Sequence, residues 1–468
     1  MKKLLISVLV VVLVLAGCMT IFAACDDASD YEHTIIFYSS QGKTLTPITQ
    51  NAIDSFEAKY PGWTVQHLTQ GGYDDVLSKV KADLQAGLQP DLAYCYADHV
   101  AQYLESEKVV DLSKYLTSTE TVTYTDVNGE EHTTGAIGFT TQEVEDFFIE
   151  GYIKEGYADN YSGVPSFYAE NALFTLPFVK STELLYYNED ALKALGVQPA
   201  KTWDELWAHC RAAKAKWSSC VPLGYDSEAN WFITTAMQRG FGYTSVDDDN
   251  HFLFDNDGAK AWLTEIKGYY QEKLFTTQTL YQTYTSDLFK KGPENGGAIY
   301  CIGSSGGASN QEAKDDKGAL KFVTGVTGIP GVKADSQNQC ISQGPSLVML
   351  SGGHGVSNAE EKEKMTFLFI RELLDKNFQA AFAKGSGYNP MRTDVYDIPS
   401  YKTFLEEDSV IARAALAAKG LNDRFFSSPA FDRSSLARTQ VGSVVQYVIL
   451  NQKPVDKALK DALKNCGA

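Results

Sequence analysis

The chain is poor in the residues that hold metals. Its seven histidines are scattered, none stands at ligand spacing to a cysteine or another histidine, and no CxxC pair occurs. Zinc sites are built from such clusters, so no metal centre is expected. A Gly-x-x-x-x-Gly-Lys-Ser/Thr loop is also missing, which leaves nucleotide hydrolysis to another protein. Positive charge is scarce, with 41 Lys and Arg against 59 Asp and Glu and a formal net charge of −18. So acidic a surface repels phosphate backbones and anionic headgroups, which argues against nucleic acid as a partner. No internal repeat or low-complexity segment is present, and no cofactor is implied.

What the chain does have begins at its first residues. Lys2 and Lys3 precede an apolar run from Leu4 interrupted by Ser7, and small residues then lead to cysteine. Leu15-Ala16-Gly17-Cys18 resembles a bacterial lipobox, and Phe22-Ala23-Ala24-Cys25 is a looser second copy. This order of basic, apolar and small residues marks a secretory signal, removed before folding. The lipobox resemblance implies a lipid on the new N-terminal cysteine. An uncleaved membrane anchor is the competing reading, because the run is long enough to span a bilayer. Cys18 has the stricter motif, but cleavage there would leave Met19-Thr20-Ile21-Phe22 as an apolar stub. Cys25 is followed by the polar tether Asp26-Asp27-Ala28-Ser29-Asp30 and is preferred. The expectation is a signal peptide at 1–24, a tether at 25–32 and a monomer anchored to the extracytoplasmic face of the cell membrane.

Six further cysteines remain: Cys95, Cys210, Cys220, Cys301, Cys340 and Cys466. In an exported chain an even count permits disulfides, and Cys210 with Cys220 is the first pairing to test. More than four hundred residues exceed what one hydrophobic core usually organises, so two domains are expected.

Strand-like and helix-like stretches alternate, which argues for an α/β architecture. Residues 33–38, 63–68 and 91–94 read as strands, separated by helices at 46–60 and 74–86. Thr46 is placed as the first N-cap, with Pro47 at the first helical position. Two such crossovers in about sixty residues build a parallel sheet. Asn128-Gly129 signals a hairpin within 121–137. Strands are expected at 172–187, 298–302 and 339–350, and helices at 203–216, 255–273, 360–375, 439–450 and 455–465.

Four separated stretches resemble one family. They are 55–65, continuing through Gly72-Tyr73-Asp74 to 87–92; Leu176-Pro177 through 185–190 to 201–206; 385–392; and 452–460. In this order they are similar to the extracellular solute-binding proteins of ABC importers, the group containing maltose-binding and glycerol-phosphate-binding proteins. The resemblance implies a type II periplasmic-binding-protein-like fold of two discontinuous α/β lobes. It places 33–180 with 341–388 in one lobe and 181–340 with 389–468 in the other, with hinge crossings near Ser181, Cys340 and Tyr388. Lobes of this kind close on a ligand because only the closed form lets both touch it. Implied partners are a sugar ligand, two permease subunits and a cytoplasmic ATPase.

Carried over position by position, the resemblance points to Tyr73, Asp98, Ser181, Trp231, Ser305, Gly344, Tyr388 and Arg438 as ligand contacts. Asp98 can accept hydrogen bonds from vicinal hydroxyls, or cap the helix starting at His99. Trp231, read as part of a loop, is either an aromatic platform or core filling. A small residue at Gly344 lets the backbone approach a ligand. Ser181, Ser304-Ser305-Gly306, Tyr388 and Arg438 lean towards a phosphorylated polyol, since a guanidinium grips phosphate in two prongs. Asp98 and the net charge lean towards a neutral sugar. Carbohydrate capture for import is the expectation; glycerol 3-phosphate, a glycerophosphodiester, or ligand sensing for a membrane receptor is the alternative.

Gly303-Ser304-Ser305-Gly306-Gly307 also fits the Gly-x-Ser-x-Gly nucleophile pattern after a strand. Its partners are poor, since only His354 lies downstream. A binding protein is expected, not a hydrolase.

Overall fold

The computed structural model describes residues 28–247, 250–334 and 339–468. The expected signal peptide and both candidate lipidation sites, Cys18 and Cys25, lie outside them. No helix among the described residues is long and apolar enough to cross a membrane.

Two five-stranded mixed sheets organise the chain. The first runs in the order Thr64–Thr69, Thr34–Ser39, Leu92–Cys95, Ser346–Met349 and Leu176–Pro177. Its first three strands are parallel, with Thr34 opposite Thr64 and Phe37 opposite Leu92, while Ser346–Met349 runs antiparallel to Leu92–Cys95. Ile35, Ile36, Phe37 and Tyr38 are all buried, as a parallel strand covered on both faces requires. The second sheet has the order Phe275–Thr277, Leu223–Tyr225, Tyr300–Ser304, Glu183–Asn188 and Thr324–Gly328. Helices pack on both.

The expected elements appear with small shifts. Thr46 is the first residue of the helix Thr46–Lys59, not its cap; Leu45 holds that position without a side-chain bond. Tyr73 opens the helix Tyr73–Ala86, which ends at Gly87 with φ of 72°. The hairpin pairs Thr123 with Thr133. Two long expected strands break: 172–187 becomes Leu176–Pro177, Val179–Lys180 and Glu183–Asn188, and 339–350 becomes Cys340–Ile341 and Ser346–Met349. Each break is where the chain passes between the sheets.

That passage is laced together. Ser181 and Gln343 exchange two backbone hydrogen bonds of 2.8 Å, Asn389–Pro390 pairs with Val179–Lys180, and Cys340–Ile341 pairs with Phe425–Phe426. Lys180, fully buried, donates to both Glu155 oxygens at 2.9 Å and to Ser346 Oγ at 3.1 Å. Ser427 Oγ donates to the same carboxylate at 2.9 Å. Buried charges persist when paired and fully hydrogen-bonded in this way.

All six described cysteines are buried and free, so Cys210 and Cys220 form no disulfide. Burial pushes the Cys220 thiol up to about 12, and these residues act as small apolar fillers.

Candidate functional site

Two parallel strands, one in each sheet, end facing the same cleft of about 680 Å³. Open α/β sheets commonly present ligand sites beyond the carboxyl ends of their strands. Leu92–Cys95 runs into Tyr96-Ala97-Asp98-His99 on one wall, and Leu223–Tyr225 runs into Asp226-Ser227-Glu228 on the other. Ile341, Ser342, Gln343 and Ser427 form the base, and Arg438 and Gln446 of the helix Ser434–Ile449 complete the second wall. Gln102 Nε2 donates to Ser435 Oγ across the mouth at 3.1 Å.

The expected residues divide. Asp98 lines the cleft from inside the short helix Ala97–Val100, whose cap position is Tyr96, so the capping role is not made. Its Oδ1 is buried without a hydrogen-bond partner. Beside it, burial holds the His99 imidazole below its ordinary range and therefore neutral. Arg438 faces the cleft and donates to Asn230 Oδ1; no carboxylate among the described residues lies within 4.0 Å of it. Tyr73 and Tyr388 meet hydroxyl to hydroxyl at 3.4 Å, and the Tyr73 ring lies 4.7 Å from that of Tyr96. Burial pushes the Tyr73 phenol far up, so it stays a hydroxyl donor.

The others sit elsewhere. Trp231 is 1 % exposed, on the helix Glu228–Arg239 and not in a loop, stacked on Tyr225 at 4.7 Å amid Trp203, Trp207, Trp262 and Phe275. It is core and offers no platform to the cleft. Ser305 is fully buried, its Oγ accepting from the Thr182 amide at 3.3 Å, and His354 stacks on Tyr31. No nucleophile–base pair arises from these residues. Ser181 is buried in the hinge ladder. Gly344 has φ of 94°, and a Cβ there would meet Val179 O at 2.5 Å, so its smallness serves strand packing at the hinge.

Tyr96, Asp226, Glu228 and Asn230 were not singled out in the sequence. Asp226 accepts from the Thr285 amide and hydroxyl at 2.7 Å, and burial raises its carboxyl. Glu228 accepts from Thr277 and Thr279. A signal existed in part: Asp226, like Asp98, follows a short apolar strand. One trio, Asp126, Glu130 and His132, has ligand atoms within 4.8 Å of one another on the exposed hairpin. Asp126 Oδ1 already accepts the Asn128 and Glu130 amides of its own turn.

A deep cleft between two sheet-based units, crossed by a laced hinge and lined by hydrogen-bonding side chains, defines a hinged ligand-binding protein. Residues 51–406 match the family described as bacterial extracellular solute-binding protein, and the chain belongs to that family. It is 25 % identical over 395 residues to the sn-glycerol-3-phosphate-binding periplasmic protein UgpB of Yersinia pestis, covering 80 % of this chain and 77 % of that protein. The Escherichia coli (strain K12) protein of the same name is 23 % identical over 402 residues, covering 80 % and 78 %. In fold it resembles UgpB from Mycobacterium tuberculosis in complex with glycerophosphocholine (TM-score 0.69, 16 % identity, 93 % of this chain and 97 % of that one). It is similar also to the GacH receptor of Streptomyces glaucescens (TM-score 0.68, 15 % identity, 92 % and 96 %). The chain is thus an extracytoplasmic solute-binding protein of the kind that serves ABC importers, and not an enzyme.

Proposed function

We propose that the cleft captures a hydroxyl-rich carbohydrate by lobe closure and delivers it to a pair of ABC permease subunits driven by a cytoplasmic ATPase. The observation that carries this reading is the buried Oδ1 of Asp98, which accepts no hydrogen bond and has the His99 Nε2 at 3.9 Å, in a cleft that Asp226 and Glu228 line from the opposite wall. Carboxylates accept hydrogen bonds and give none, so they suit sugar hydroxyls and disfavour a dianion. The proposed lobes are 33–180 with 341–388 and 181–340 with 389–468, tethered as a monomer through a lipid on Cys25, with Cys18 as the alternative.

One observation favours a second reading. Arg438 enters the same cleft with no carboxylate partner among the described residues, which suits a phosphate ester such as glycerol 3-phosphate or a glycerophosphodiester. Both UgpB relatives carry the glycerol-phosphate name. Sensing for a membrane receptor would use the same cleft and closure.

A thermal-shift screen of residues 26–468 against mono- and oligosaccharides, glycerol 3-phosphate and its diesters separates these readings. A ligand at a thousand times its dissociation constant adds roughly 4 kcal/mol of stability. A saccharide shift weakened tenfold or more by Asp98→Asn supports the first reading. A shift confined to phosphate esters and abolished by Arg438→Ala replaces it with the second.

A further inference from the structure

Arg438 reaches the cleft from the helix Ser434–Ile449, and it is held there by a second helix. Among the described residues its side chain makes one hydrogen bond, from the guanidinium to Oδ1 of Asn230. Asn230 is 3 % exposed and stands in the first turn of the helix Glu228–Arg239, where its amide donates to the capping Ser227 Oγ at 3.2 Å. Packing sets the meeting. Gly442 lies one turn beyond Arg438, on the same helix face. A Cβ at Gly442 would meet the Ala229 Cβ and amide nitrogen at 3.4 Å, so the two helices approach closely beside the point where Arg438 and Asn230 join. Ala229, Arg438 and Gly442 all line the cleft.

The chemistry of the partner matters. A guanidinium has only donors, so the amide must turn its oxygen towards it. A carboxylate would accept as well, but it would also cancel the charge. Two carboxylates flank Asn230 in sequence, and neither pairs with Arg438. Asp226 accepts from the Thr285 amide and hydroxyl, and Glu228 accepts from the Thr277 and Thr279 hydroxyls. Threonines occupy the acids, and the neutral amide between the strand end and the helix takes the arginine.

We propose that Asn230 is the positioning residue of Arg438, holding the guanidinium on the cleft wall before a solute arrives and leaving its charge intact. The proposal rests on the reading that this cleft captures the solute, and it holds for a sugar or a phosphate ester alike. A side chain ordered in advance loses less freedom when a solute binds, which is worth roughly 2- to 12-fold in dissociation constant. The gain goes to solutes that present acceptor oxygens to this wall. Selection at Arg438 is thereby shared with a residue that need not touch the solute.

The first test needs no solute. Rotation about the Arg438 Nε–Cζ bond is followed by 15N NMR in the wild-type chain, Asn230→Ala and Asn230→Asp, with Arg438→Lys assigning the resonance and melting curves establishing that each chain is folded. The wild-type rotation should be slower than that of free arginine by roughly tenfold or more, as a hydrogen bond to a charged group requires. Asn230→Ala should lose most of that slowing, and Asn230→Asp, which keeps an acceptor, should restore it. Wild-type rotation as fast as in free arginine would overturn the proposal without any variant. Equal rotation in Asn230→Ala and wild type would overturn it too. The second test uses the saccharides and phosphate esters of the screen above. A compound that stabilises the wild type should need roughly 2- to 12-fold more to do so in Asn230→Ala. Asn230→Asp should recover a saccharide but weaken a phosphate ester further, because its carboxylate neutralises the guanidinium. An unchanged concentration dependence in Asn230→Ala would overturn the proposal. If no compound of the panel stabilises the wild type, the proposed solute class fails, while the rotation measurement still decides the role of Asn230.

Discussion

Trp231 shows how much a single side chain's meaning depends on what surrounds it. With Tyr225 stacked at 4.7 Å and Phe275 edge-on at 5.0 Å, the indole is a central piece of the second core. Trp231→Ala should cost about 3–5 kcal/mol in ligand-free chemical denaturation, since a cavity is left in a packed aromatic cluster. Near-unchanged stability without ligand would return Trp231 to the cleft wall. The residue in front of it, Asn230, is the one that meets the cleft residue Arg438. Asp98 and Arg438 were legible because each stands where the resembling family places a ligand contact. Asn230 was not, because its importance lies in a partner, Arg438, far away in sequence.

Among the elements, the helix Trp203–Lys216 is fixed locally. Thr202 caps it by accepting from the Glu205 amide, and Glu205 reaches back, a reciprocal arrangement readable from the letters alone. The helix Glu228–Arg239 is the opposite case. Of the nine consecutive positions from Glu228 to Ala236 all but Ala229 are buried, so no apolar stripe marks it. The hinge strands fail as sequence readings for another reason: 172–187 and 339–350 look continuous, but the chain changes sheet inside each. Gly344 sits at one change. Gly344→Ala must hold φ of 94° and push a methyl against Val179 O, whereas Gly87→Ala meets nothing within 4 Å at φ of 72°. The first should lose more stability in urea unfolding, ~1–3 kcal/mol against about 1 kcal/mol for the second. Equal losses would mean that the hinge strands relax freely.

Over the whole molecule, the Lys180–Glu155 pair ties the first sheet's surroundings to the hinge, with Ser427 and Ser346 closing the network. Replacing one partner leaves a buried charge unpaired, so Lys180→Met should cost roughly 3–5 kcal/mol. The double variant Lys180→Met with Glu155→Leu should recover a large part of that loss; strictly additive losses in a double-mutant cycle would show that the pair acts as two independent groups. The letters by themselves determined the α/β class, the parallel start of the first sheet, the acidic surface and the family, because these rest on local periodicity, composition and short motifs. Which residues share the cleft was decided only by the tertiary structure. Asp98, Asp226 and Arg438 are brought together there by a chain that passes between two sheets, and that passage depends on pairings such as Ser181 with Gln343, more than 150 residues apart in sequence.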